Sequence, residues 1–142
     1  MKFIHFLMQN WVLSGAFIVV FVLLMIEEFK TQQRNMSVNE LVALLNSGEC
    51  TLLDIRDANV FAQGHIAQAI NIPAAKLKQD IKLEALKAKV VIVGKSPLAE
   101  QSAARLLEKM GHAECQFLHG GMGAWEKANM PLVRGNSNKQ GK

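Results

Sequence analysis

The sequence predicts an α/β domain, a mostly parallel β-sheet flanked by helices on both faces, preceded by one N-terminal transmembrane helix. Three observations predict it. Trp11 to Ile26 is an uncharged apolar run. From Ser37 onward, helix-like and strand-like segments alternate with short connections. The stretch "VVIVGKSPLAEQSAARLLEKMG", Val90 to Gly111, reads as a strand that passes through a short turn into a helix. Half of the 142 residues are hydrophobic, which suits one compact core plus the apolar segment.

The apolar run comes first. Its 16 residues, "WVLSGAFIVVFVLLMI", rise about 24 Å as a helix, short of the roughly 30 Å hydrocarbon core, so the span draws on neighbouring residues. Residues 1–29 are therefore read as a membrane anchor, with residues 10–28 in the lipid bilayer and Trp11 at an interface. A cleavable signal peptide would have a shorter apolar region followed by small residues; here "EEFKTQQRN" follows. Lys2 and the α-amine on one side nearly balance Lys30 and Arg34 on the other, so charge leaves the orientation open.

Residues 30–36 are polar and read as a linker, residues 37–134 as the domain, and residues 135–142 as a disordered tail. The domain opens with "SVNELVALLNSGE", in which Ser37 and Glu40 have the spacing of a capping box, Leu41, Leu44 and Leu45 form an apolar face, and Gly48 stops the helix. "TLLDI" is a strand and an irregular stretch follows to Pro73. "AAKLKQDIKLEALKAK" is a Lys-rich helical pattern carrying Leu77, Ile81 and Leu86 inward. "VVIV" is the next strand. A helix from Pro97 to Met110 is expected to bury Leu98, Ala103, Leu106, Leu107 and Met110 and to end at Gly111, before a last short strand near "CQFL".

Three stretches together carry a family resemblance: "LLDIRDANVFAQGHIAQAINIP", the strand-turn-helix quoted above, and "FLHGGMGAWEKANMPLV". Asp54, Arg56, Gly64, His65, Ile66, Asn71, Ile72, Pro73, Gly120, Gly121, Trp125 and Pro131 follow in order and spacing. The chain resembles the rhodanese family over about residues 36 to 134. With a single span ahead of one domain, it is similar to inner-membrane members from gram-negative bacteria, which implies a cytoplasmic domain. The resemblance also implies structural roles for Asp54, Arg56, Gly64, His65, Gly120, Gly121 and Trp125.

An active rhodanese carries a Cys at the first turn position after the central strand, where backbone N–H groups and the following helix lower its pKa and the thiolate takes up sulfane sulfur. The alignment fixed by "VVIV" and "AARLL" puts Gly94 there, and no Cys occurs between Thr51 and Glu114. The loop Gly94, Lys95, Ser96, Pro97, Leu98, Ala99 and Glu100 has departed from the family pattern elsewhere too: Pro97 and Ala99 stand where the family has Gly and Arg. The phosphatase relatives of the fold need a Cys and an Arg six positions later, and this chain has Gly94 and Glu100. Ser96 suits a helix cap and Pro97 the first helical position, so the cradle is filled by its own side chain. A carboxylate at Glu100, near the helix N-terminus, stabilises the helix and repels an incoming anion.

The remaining chemistry is sparse. Cys50 and Cys115 read as small buried hydrophobes. His119 with Cys115 lacks a third ligand, so no metal is expected, and no cofactor either. Asp54 and Arg56 are expected to satisfy each other. "GMGAWE" lacks the third glycine of a dinucleotide fingerprint, and Val60 replaces an acidic residue frequent in the family. From Lys30 onward there are fifteen Lys and Arg against ten Asp and Glu, with six lysines between Lys76 and Lys95. Such a surface attracts anionic lipid or an acidic partner, or is simply solvated. Nucleic acid is not expected, because no stacking platform or groove-reading motif is present. The favoured reading is a catalytically inactive, membrane-anchored protein-interaction module. The alternatives are a sulfurtransferase using Cys50, Cys115 or a partner's cysteine, and a binder of small anions at the loop.

Overall fold

The computed structural model of the chain describes residues 1–112 and 114–135. They fall into two compact units, Met1–Arg34 and the described residues from Asn35 onward. The expected tail beyond Gly135 lies outside the described residues.

The first unit holds α1 (Lys2–Gln9) and α2 (Trp11–Gln33), separated at Asn10, whose backbone leaves the helical conformation at φ −117° and ψ 45°. Within α2, Trp11–Lys30 is long and apolar enough to cross a membrane by length and composition, and its apolar side chains are exposed along its length. At 1.5 Å per residue the 23 residues of α2 rise about 34 Å, slightly more than a hydrocarbon core. The polar stretch at residues 30–36, expected as a linker, is instead helical through Gln33, and Asn35–Met36 then form strand β1. Propagating a helix costs little where neither Gly nor Pro intervenes, and burying Met36 recruits the end of the stretch to the sheet.

The second unit is built on a five-stranded, fully parallel sheet of β1, β2 (Cys50–Asp54), β3 (Ile70–Asn71), β4 (Lys89–Val93) and β5 (Cys115–Leu118), in the order β1-β5-β4-β2-β3. Parallel strands require covered faces. One face packs Leu53, Val90, Ile92 and Phe117 against α6 (Pro97–Lys109) through Ala103, Ala104 and Leu107, and against Leu77 and Ile81. The other packs Leu52, Val91, Val93 and Leu118 against α3 (Val38–Ser47) through Leu41, α4 (Ala58–Gln63) through Phe61, and α7 (Gly121–Lys127) through Trp125. The alternation of neighbours such as Leu52 and Leu53 follows the two-residue strand period. Because this unit contains the sheet and both cores, the chain from Asn35 onward is expected to fold on its own.

The capping box forms as the spacing predicts: Glu40 N–H donates to Ser37 Oγ and Ser37 N–H to Glu40 Oε2, while Gly48 ends α3 in the left-handed conformation. The Lys-rich pattern at 74–89 does not form the single helix expected of it. It breaks into a 3₁₀ turn at Ala74–Lys76, one α turn, α5 (Leu77–Asp80), and a second 3₁₀ turn at Leu83–Ala85. On one continuous helix, Leu83 and Leu86 would point roughly 140–160° away from Leu77 and Ile81. The broken path lets all four reach the same core.

Candidate functional site

Parallel α/β sheets place ligands beyond the C-terminal ends of their strands. Here that edge gathers the residues after β2, the β4–α6 loop and the β5–α7 loop. Gly94, the first residue past β4, is buried, and the Ile55 N–H donates to Val93 O at 2.9 Å directly beside it. A Cβ built on Gly94 would lie 3.1 Å from Ile55 Cδ1, Ile55 Cγ1 and Glu100 Cγ, so the loop has little room for a side chain.

Ser96 caps α6 by accepting the Ala99 N–H, with Pro97 at the helix start, as the sequence predicts. One assignment on this helix is corrected: Leu98, expected in the core, is 73% exposed, while Glu100, expected to act as a carboxylate near the helix N-terminus, is 6% exposed. The inward stripe of α6 is Glu100, Ala103, Ala104 and Leu107, and Leu98 sits nearly opposite it at helical spacing. The stripe is present in the sequence as a helical spacing, but the apolar character of Leu98 conceals it.

The Glu100 side chain turns back into the loop. Its Oε1 accepts the Gly94 N–H at 3.0 Å, and a Cβ on Gly121, at the start of α7, would lie 3.9 Å from the same oxygen. Burial pushes this carboxyl from its ordinary value of 4.5 up to about 7, with the Gly94 hydrogen bond acting in the opposite direction. The cradle is thus filled by the Glu100 side chain. Lys95, Pro97 and Leu98 stay exposed at the rim.

The motif residues brace the loops around this site. Arg56 Nε and Nη2 donate to the Asp54 carboxylate at 2.7 to 3.1 Å, and Nη2 also donates to Gly64 O at 2.9 Å. Asp54 is 1% exposed. Asn71 Nδ2 donates to the carbonyls of both Asp54 and Arg56, which ties the end of β3 to the turn after β2. The His65 ring stacks on Phe61 at 3.7 Å, with Nδ1 2.8 Å from Phe61 O, and its backbone pairs with Val133. Trp125 Nε1 donates to Pro131 O. Gly120 adopts φ +77°, and a Cβ there would approach Ala124 Cβ to 2.8 Å, so a side chain is excluded on both grounds.

The two cysteines lie elsewhere. Cys50 pairs with Lys89 and Cys115 with Val90, at the opposite ends of their strands from the loop, and they belong to opposite faces of the sheet. At roughly 3.3 Å per residue, Cys50 is about 16 Å and Cys115 about 13 Å from the level of Gly94. Both are buried and neither is in a disulfide, and burial pushes the Cys50 thiol up. Cys115 is buried in its strand while His119 is exposed in the following turn, so the pair does not converge. Among the described residues no group of three or more His, Cys, Asp and Glu side chains is placed to hold a metal. Lys76, Lys78, Lys82 and Lys87 are exposed, and Lys87 Nζ donates to Gly48 O.

Comparison with known proteins gives consistent results. The profile of the family described as Rhodanese-like domain matches residues 37–128. The YibN protein of Escherichia coli (strain K12) is 31% identical over 140 residues, covering 94% of this chain and 98% of that protein. The thiosulfate sulfurtransferase GlpE of Shewanella oneidensis is 33% identical over 96 residues, 68% of this chain and 95% of that protein. Among solved structures, the Alr3790 protein from Anabaena superposes with a TM-score of 0.63 at 26% identity, covering 70% of this chain and 81% of that one.

Proposed function

This chain belongs to the rhodanese-like domain family, and from that premise we propose that it is a catalytically inactive member serving as a protein-interaction module. We place it at the bacterial inner membrane, held by residues 10–28 with its domain on the cytoplasmic side. The observation that carries the reading is Gly94 at the position where the family's sulfur-accepting thiolate stands. Sulfur transfer through a persulfide needs a thiolate nucleophile in a cradle of N–H groups. Glycine supplies none, and both cysteines start about 13 Å or more along their strands from that level. The raised Cys50 pKa further reduces its thiolate fraction.

Support for an interaction role comes from the loop rim and from charge. Leu98 is exposed beside Pro97 and Lys95, which gives the loop an apolar contact point next to a cation. The surplus of Lys and Arg from Lys30 onward suits a domain tethered near anionic headgroups or meeting an acidic partner. The test is a thiosulfate:cyanide assay on the full chain in detergent micelles. No thiocyanate above the protein-free blank is expected. Thiocyanate production that disappears in Cys50→Ser or Cys115→Ser would overturn the reading.

A further inference from the structure

We propose that Glu100 sets the specificity of the loop by plugging it from within, so that external oxyanions such as sulfate and thiosulfate are shut out. The proposal deepens the reading above and rests on the loop being the degenerate counterpart of a cradle for anionic sulfur. One hydrogen bond and two spatial relationships define the plug. The carboxylate oxygen takes the Gly94 N–H, the first backbone amide of the loop after β4. The aliphatic part of the side chain, with Ile55, borders the space a side chain at position 94 would need. The same oxygen lies 3.9 Å from where a Cβ on Gly121 would stand, so the side chain faces the β5–α7 loop as well as its own. Meanwhile Ser96 Oγ already takes the Ala99 N–H.

An oxyanion could enter only by displacing Glu100 or by sitting against it. Displacement forfeits the Gly94 hydrogen bond, and close approach sets two like charges in a poorly solvated space. The exclusion is therefore steric and hydrogen-bonded as well as electrostatic. This separates two substitutions. Glu100→Ala vacates the amide and the volume together, whereas Glu100→Gln keeps the shape and retains an oxygen to accept the Gly94 N–H. Removing a desolvated carboxyl also relieves a burial cost, so the Ala variant is expected to fold, and Glu100→Ser provides the same vacancy if it aggregates.

The experiment follows backbone amide resonances of the chain from Arg34 onward while sodium sulfate or sodium thiosulfate is added, with sodium chloride at matched ionic strength as control. In Glu100→Ala, saturable anion-specific shifts are expected at Gly94 and its neighbours through Glu100 and at Gly121. Wild type and Glu100→Gln should bind at least about tenfold more weakly, a difference of about 1.4 kcal/mol. Equal affinity in wild type and Glu100→Ala, or no localised response in a folded Glu100→Ala or Glu100→Ser variant, would overturn the proposal. Binding in Glu100→Gln equal to that in Glu100→Ala would also overturn it, because exclusion would then rest on charge alone. These outcomes are independent of thiocyanate production, which reads cysteine chemistry.

Discussion

The Glu100 carboxylate accepts the Gly94 N–H at 3.0 Å, joining the first turn of α6 to the residue that follows β4. A folded structure that keeps a carboxyl buried with one hydrogen bond opposes its ionisation. The pKa near 7 in the folded chain exceeds the ordinary 4.5, so between these values the folded state holds more protons than the unfolded one.

Stability is therefore expected to be highest at and below pH 4.5 as far as this group is concerned, and to decline as pH rises to 7 and just beyond. The loss from this carboxyl is at most about 3–4 kcal/mol, because each tenfold fall in proton activity between the two pKa values removes about 1.4 kcal/mol. Urea denaturation of the chain from Arg34 onward at a series of pH values checks this. Glu100→Gln should lack this component of the pH dependence, and an unchanged profile in that variant would assign the effect to another group.

Position 94 provides a second prediction. Gly94→Cys alone brings a Cβ within 3.1 Å of Ile55 and Glu100 and is expected to cost about 1–3 kcal/mol. Coupling it with Glu100→Ala relieves one of those contacts and frees the amide. The double variant should gain a cyanide-labile sulfur from thiosulfate more readily than the single one, as read by intact mass.

Much of this architecture was legible in the sequence because its determinants are local. The capping box of Ser37 and Glu40, the stop at Gly48 and the Ser96-Pro97 start each depend on residues a few positions apart, and the structure forms them all. The parallel sheet with helices on both faces was legible from the alternation of elements. The segment from Ala74 to Lys89 was not, because its lysines and leucines have high helix propensity while the core demands a broken path. The burial of Glu100 was not legible for a different reason: carboxylates are seldom buried, so its charge conceals the helical spacing with Ala103, Ala104 and Leu107 that points it inward. The end of the polar stretch at residues 30–36 joined the sheet through long-range pairing with β5, which no local pattern reveals.

Arg56 is expected to matter for folding. It is the salt-bridge partner of a fully buried Asp54 and also holds Gly64 O. Arg56→Met leaves the Asp54 charge uncompensated, so a loss of about 3–5 kcal/mol is expected in urea denaturation near neutral pH. A loss below about 1 kcal/mol would show that the pair is dispensable.

The apolar N-terminal helix makes its own prediction. The full chain should remain with the membrane fraction after alkaline carbonate extraction, because Trp11–Lys30 is apolar and exposed in the chain itself. The chain from Arg34 onward should stay in the supernatant. Release of the full chain by carbonate would refute a spanning helix.

The most direct test of the account is the intact mass of the chain from Arg34 onward after incubation with thiosulfate, beside an active sulfurtransferase treated identically. An unchanged mass is expected here while the active enzyme gains sulfur, because Gly94 offers no thiolate and both cysteines are buried away from the loop. A gain of one sulfur that cyanide removes, and that Cys50→Ser or Cys115→Ser abolishes, would contradict the account and identify the chain as a working sulfurtransferase.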